Sequence, residues 1–245
     1  MSEKNATQTE LIVALDFATA AEAFALVEKL KGLPVVYKVG LELFQSGGSE
    51  LVRKLVSLRQ RVFVDLKFHD IPNTVAKSAA QVARMGAEMF TLHVAGGPEM
   101  VQATVRELAP ADGARSAARP KILGVTVLTS FDEDRWSQAM STVSAKPYVI
   151  GESVKNMVRQ AKAWGVDGIV CSSHELEALR EEFAGLYTVV PGIRPAGTAA
   201  QDQGRTMTPK QAAQLGAGAI VVGRPITQAA DPRAATEAIL KELSG

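Results

Sequence analysis

The sequence predicts an α/β fold, a single (β/α)8 barrel. Three observations carry that prediction. The chain has 245 residues, within the range of single α/β barrels. Short β-branched runs alternate with helical patterns along its whole length, and eight such units leave about 31 residues each, one βαβ step. No linker or low-complexity stretch divides it, so residues 11–245 read as one domain behind a polar tail, MSEKNATQTE.

The elements follow in order. Leu11–Asp16 is the first strand pattern, and Phe24, Val27 and Leu30 mark one face of the helix after it. Val35–Val39 is the second strand, followed by a helix with Leu51, Leu55 and Leu58 on one face. Val62–Lys67 and Met89–Val94 are the third and fourth, with Gly86 closing the helix between them. Ile122–Leu128 is the fifth, and Val154, Met157, Val158 and Ala161 share a face of the next long helix, closed by Gly165. Gly168–Cys171, Tyr187–Val190 and Ala219–Val222 complete the eight. Most of these runs are continuously apolar, as in parallel strands buried on both faces. Thr208-Pro-Lys-Gln211 reads as an N-cap, a Pro at N1 and a capping-box partner, with Gly216 closing that helix; Asp231-Pro232 starts the last one. The rival fold, an open doubly wound sheet, usually has a Gly-rich turn after its first strand; Asp16-Phe17-Ala18 stands there instead. Thr129–Tyr148 and Ile193–Met207 are too long for plain connections and are expected to be lids or substrate-binding segments.

Composition narrows the function. Hydrophobic residues are 47% and charged residues 22%, the mix of a soluble globule. Lys+Arg 27 against Asp+Glu 26 leaves a net charge of +1, with no bulk attraction to nucleic acid or an anionic membrane. Cys171 is the only cysteine, which excludes an intrachain disulfide and a Cys-based zinc site. No apolar run approaches the ~18–20 residues that span a bilayer, and the polar tail lacks the apolar stretch of a signal peptide, so the expected location is the cytoplasm.

Charges appear where barrel strands should be apolar: Asp16, Lys38, Asp65 and Lys67, all near strand C-termini, where barrel enzymes place catalytic groups. Asp65 and Lys67 share a face by strand alternation. One such charge would read as a solvated strand end; four on three successive strands read as a site, because Val or Ile would meet a structural need more cheaply. Lys67 lies between Asp65 and Asp70, and anionic neighbours favour its charged form, so it suits proton donation better than Schiff-base chemistry. Lys38 and Lys67 compete with any Mg²⁺ for the carboxylates, so no metal is expected. An ammonium in such an array suits a reaction that builds negative charge on substrate and then protonates it.

A second constellation reads as a phosphate site. Val190-Pro191-Gly-Ile-Arg194-Pro follows strand 7 and Val222-Gly223-Arg224-Pro225 follows strand 8, the two places where barrels commonly hold phosphate. His69 reads as orienting or structural, His93 as supporting the site, His174 as surface, and Cys171, Trp136 and Trp164 as packing residues.

Asp65-Leu-Lys67-Phe-His-Asp70-Ile-Pro-Asn-Thr74 resembles the Asp-x-Lys-x-x-Asp-Ile-Pro-x-Thr signature of orotidine 5′-phosphate decarboxylases of the bacterial type. Leu15-Asp16, Tyr37-Lys38-Val-Gly40, Leu128-Thr129-Ser130, Pro191-Gly-Ile-Arg194-Pro, Asp202-Gln203 and Val222-Gly223-Arg224-Pro225 match as well, over about Leu11 to Leu243. The resemblance implies a homodimer with shared active sites, a nucleotide substrate, and no cofactor or metal. It implies that Lys67 protonates C6 as the carboxylate departs, with Asp65 beside that carboxylate. Lys38 and Asp70 would complete the array, Asp70 coming from the partner subunit. Asp16 and Lys38 would bind ribose hydroxyls, as would Thr74 from across the interface. Ser130 and Gln203 would contact the base or its loop, and Arg194, Gly223 and Arg224 the phosphate. Thr129 and Pro191 fall among the substrate-binding positions. The nearest enzymatic alternative is a Mg²⁺-dependent aldol lyase of the hexulose-phosphate synthase type, which shares the Asp-x-Lys-x-x-Asp core; a nucleotide-binding sensor is the non-enzymatic one.

Overall fold

The computed structural model describes residues 8–110, 119–142, 148–195 and 207–244. Eight parallel strands close a barrel in chain order: β1 (Glu10–Ala14), β2 (Val35–Gly40), β3 (Arg61–Phe68), β4 (Met89–His93), β5 (Lys121–Val125), β6 (Gly168–Val170), β7 (Tyr187–Val190) and β8 (Ala219–Val222). Closure is made by β8 on β1, with Glu10 opposite Ala219 and Val13 opposite Val222. The described helices are α1 (Ala20–Lys29), α2 (Leu41–Ser57), α3 (Pro72–Met85), α4 (Gly97–Glu107), α5 (Glu133–Ser141), α6 (Ile150–Trp164), α7 (Ser173–Ala178), α8 (Pro209–Gln214), α9 (Arg224–Thr227) and α10 (Pro232–Ser244). This is the expected (β/α)8 barrel, not the open sheet.

The continuous apolar runs have a direct cause. One set of strand side chains fills the barrel: Ile12, Val36, Phe63, Met89, Leu123, Val189 and Ala219. The alternate set, including Leu11, Val13, Tyr37 and Phe90, packs outward against helix residues such as Leu26, Leu55, Val82 and Val154. Both strand faces are dry, so both must be apolar. The Tyr37 hydroxyl is buried with no hydrogen-bond partner among the described residues, and burial pushes its pKa up to about 12.

Local signals behave as expected at helix ends. Thr208 accepts from Gln211 N while the Gln211 side chain accepts from Thr208 N. Asp231 accepts from the backbone N–H groups of Arg233 and Ala234. Gly86 and Gly165 cap α3 and α6 at φ 82° and 93°, where a Cβ would be strained.

Most strand limits fall within a residue of the sequence reading; the larger differences have physical causes. β1 ends at Ala14; Leu15 N still reaches Lys38 O, but Phe17 N folds back to Leu15 O, so Asp16 stands on a turn beyond the strand. β5 ends at Val125 because its neighbour β6 ends opposite it at Val170, leaving Thr126–Leu128 without a ladder. Leu58 lies at the end of α2, past its buried face, and is 45% exposed. Thr129–Tyr148 is not a bare loop: Asp132 caps α5, and Trp136 packs inward and donates to Ser153 Oγ.

The N-terminal mouth of the barrel is closed by charge. Arg61 pairs with Glu10 at 2.6 Å and Glu88 at 2.8 Å, and the Tyr187 hydroxyl donates to Glu10. Burial raises the Glu10 pKa, but the Tyr187 and Arg61 hydrogen bonds outweigh it and hold the carboxyl below its usual range.

Candidate active site

Lys38 lies two residues beyond the inward-facing Val36, and Asp65 two beyond Phe63, so strand alternation points both into the C-terminal mouth. Lys67 arrives differently. Phe63 is opposite Met89 and Val64 opposite Phe90, but the next pair is Phe68 with Leu92. β3 therefore advances four residues while β4 advances two, and the surplus bulges at Asp65–Lys67. Lys67 takes a left-handed φ of 51°, a conformation that costs a non-glycine residue about 1–3 kcal/mol. Its backbone N–H goes to the side chain of Thr91, at 2.9 Å.

The bulge turns Lys67 back onto its own strand. Its Nζ lies 2.9 and 3.0 Å from the two Asp65 oxygens. Lys38 Nζ lies 3.7 Å from Asp65 Oδ2 and 3.1 Å from Asp16 Oδ1. The order is Asp16–Lys38–Asp65–Lys67, alternating in sign and summing to zero. Lys38 and Asp65 are only 12% and 13% exposed, which is tolerable because each faces opposite charge. The Thr91 hydroxyl donates to Asp65 Oδ1 at 2.9 Å.

A cavity of about 150 Å³ opens onto this array. Lys38, Asp65 and Lys67 line it together with Val125, Val127, Val170 and Val189, so a mostly apolar chamber carries one charged cluster. Thr129 and Pro191 also line it, and they border a second cavity of about 310 Å³ that adds Ser130 and Gly192. Cys171 is a buried packing residue, as expected, and also lines the smaller cavity; burial and Glu175 push its thiol pKa well up.

The segments after β7 and β8 flank the same mouth. Gly192 has φ 79°, Ile193 bridges to Met207, and Arg194 N donates to Met207 O at 2.9 Å, which pins together the two ends of the intervening segment. Arg194 is buried, with its guanidinium on Ile193 O. Gly223 precedes Arg224, the first residue of α9, and a Cβ at Gly223 would meet Asp16 Oδ2 at 3.4 Å. Asp16 thus joins the charged array to the β8 segment. Most of Ile193–Met207, with Gly197, Gln203 and Gly204, lies outside the described residues.

Two residues expected to act in a partner subunit's site do not join the array of their own chain. Asp70 and Thr74 are exposed. The Asp70 carboxylate accepts from Ile71 N, and among the described residues Lys67 pairs with Asp65 alone. The neighbouring Ile71 is 68% exposed. His69 is exposed and lies against His93, with ring centroids 5.6 Å apart; burial, then His69 and Lys67, lower the His93 pKa. His174 is on the surface. Thr91 was missed by the sequence reading, although it stands two residues after inward-facing Met89, on the face of the charged cluster. Among the described residues no three His, Cys, Asp or Glu side chains are placed to hold a metal, and no helix is long and apolar enough to cross a membrane.

Fold and site define an α/β barrel whose C-terminal mouth carries an alternating carboxylate–ammonium array beside two glycine–arginine segments, the place and chemistry of a barrel enzyme's active site. The chain belongs to the Orotidine 5'-phosphate decarboxylase / HUMPS family, whose model matches residues 9–239. An orotidine 5'-phosphate decarboxylase of Pseudomonas putida (strain GB-1) is 43% identical over 241 residues, 98% of this chain and 100% of the relative. One of Nitratidesulfovibrio vulgaris (strain DP4) is 43% identical over 238 residues, 96% of this chain and 97% of the relative. The crystal structure of orotidine 5'-phosphate decarboxylase from Lactobacillus acidophilus superposes with a TM-score of 0.82 at 38% identity, covering 97% of this chain and all of that one.

Proposed function

We propose that this protein converts orotidine 5′-phosphate to UMP and CO₂, the last step of de novo pyrimidine synthesis. The observation that carries the reading is the alternating array Asp16–Lys38–Asp65–Lys67 against a mostly apolar chamber. The pyrimidine ring occupies the chamber with its carboxylate beside Asp65. As the carbon–carbon bond breaks, CO₂ leaves and the electron pair stays on C6. Lys67 Nζ supplies the proton that neutralises it, then regains one from solvent, to which it is 30% exposed. Negative charge already fixed on Asp65 disfavours the substrate carboxylate more than the departing neutral CO₂, and the ammonium favours the developing carbanion.

The remaining roles follow the same axis. Asp16 and Lys38 bind ribose hydroxyls, at the point where Asp16 meets Gly223. Arg194, Gly223 and Arg224 hold the phosphate. Ser130 and Gln203 contact the base or its loop, with Thr129 and Pro191 along the substrate. Asp70 and Thr74 act in the site of a partner subunit; their exposure beside Ile71 supports a homodimer. The two ammoniums do the electrostatic work that a metal would do, and the reading calls for no cofactor. The test is to incubate purified protein with orotidine 5′-phosphate and follow loss of its ultraviolet absorbance, with and without EDTA. Full turnover in both is expected. No turnover overturns the reading, and EDTA loss rescued by Mg²⁺ moves the assignment to the aldol lyase.

A further inference from the structure

We infer that Thr91 is a positioning residue for the Asp65–Lys67 pair, an inference that rests on the decarboxylase reading. Its side chain is fully buried at the bulge between β3 and β4. There the β3 backbone departs from the ladder, and the Lys67 N–H needs another acceptor. The Thr91 hydroxyl supplies it at 2.9 Å and spends its own proton on Asp65 Oδ1, also at 2.9 Å. One hydroxyl therefore holds both the left-handed backbone of Lys67 and the rotamer of Asp65. A hydroxyl has one donor and two acceptor sites, so Thr or Ser can make both bonds at once; Val, of the same shape as Thr, offers neither. Without it, Asp65 is held among the described residues through Lys67 and Lys38 alone, and Lys67 loses the bond that fixes its turn. The ammonium then samples positions away from the carbon it protonates, where a displacement of about 1 Å can cost on the order of 100-fold in rate.

The test compares wild type, Thr91→Val, Thr91→Ser and Thr91→Ala with orotidine 5′-phosphate, together with calorimetric binding of UMP. Thr91→Val is expected to lose about 10–100-fold in kcat while KM and the UMP Kd change by less than about threefold. Thr91→Ser is expected to stay within about fivefold of wild type. The Ser and Ala variants both lack the methyl group, so their difference isolates the hydroxyl even if Val fails to fold. Wild-type kcat in Thr91→Val, or equal kcat in Thr91→Ser and Thr91→Ala, overturns the positioning role alone. A wild-type protein that leaves the nucleotide unchanged overturns the decarboxylase reading itself, and the positioning role with it.

Discussion

Arg224 opens α9 directly after Gly223, and a guanidinium there can make paired, charge-assisted bonds to a phosphate. Arg224→Ala is expected to weaken UMP binding by about 10–100-fold, the equivalent of roughly 1.5–3 kcal/mol, and to leave uridine binding nearly unchanged. Calorimetry with the two ligands checks it; equal losses for both would show that Arg224 does not read phosphate. This residue stands out in the sequence because Gly-Arg-Pro after the last strand falls where barrels commonly hold anions. Asp16, Lys38, Asp65 and Lys67 were legible because ions at apolar strand ends are costly and so informative. Thr91 was not, since a threonine within a strand is ordinary. Nor was the left-handed backbone of Lys67, since nothing in a lysine's chemistry announces it.

At the scale of elements, helix ends were the most legible feature. The Thr208–Gln211 box and the Gly86 and Gly165 caps are local, decided by a few residues and their own backbone. Strand ends were less so, because a strand stops where its neighbour stops. β5 gives out at Val125 on account of β6, which no reading of Ile122–Leu128 alone reveals. The bulge between β3 and β4 is a relation between two strands and is equally invisible in either. The closed N-terminal mouth gives an element-scale prediction. Tyr187→Phe removes the hydroxyl that links β7 to Glu10 of β1. A bond to a charged, partly solvated carboxylate is worth about 1.5 kcal/mol, so Tm should fall by roughly 3–6 °C at pH 7. Turnover should persist, because active sites of this fold lie at the opposite face. The sign with pH follows from Glu10, whose folded pKa lies below its ordinary value of 4.5. Its stabilisation is fully present above that value and is lost as pH falls through the lower folded one. The gap in Tm between variant and wild type should therefore narrow in acid; a gap unchanged down to the folded pKa would contradict the assigned bond.

For the whole molecule, barrel closure places the ends of β1, β2, β3 and β8 around one mouth, which is how residues far apart in sequence build one array. The same closure leaves Asp70 and Thr74 facing outward on a single chain. Under the shared-site reading, Lys67→Ala and Asp70→Ala homodimers are each nearly inactive. After confirmed subunit exchange, each heterodimer has one doubly altered and one intact site, so activity should return to about a quarter of wild type at random mixing. If both residues act within one chain, nothing returns.

The central claim is that Lys67, held in the charged array, delivers the proton that completes decarboxylation. The measurement that meets it most directly is kcat of Lys67→Ala on orotidine 5′-phosphate, made on protein whose circular dichroism and UMP-dependent rise in Tm show an intact fold and binding site. Loss of the general acid and of the charge that favours the carbanion predicts a fall of at least about 1,000-fold. A kcat within about tenfold of wild type would be no more than a positioning effect and would contradict the account.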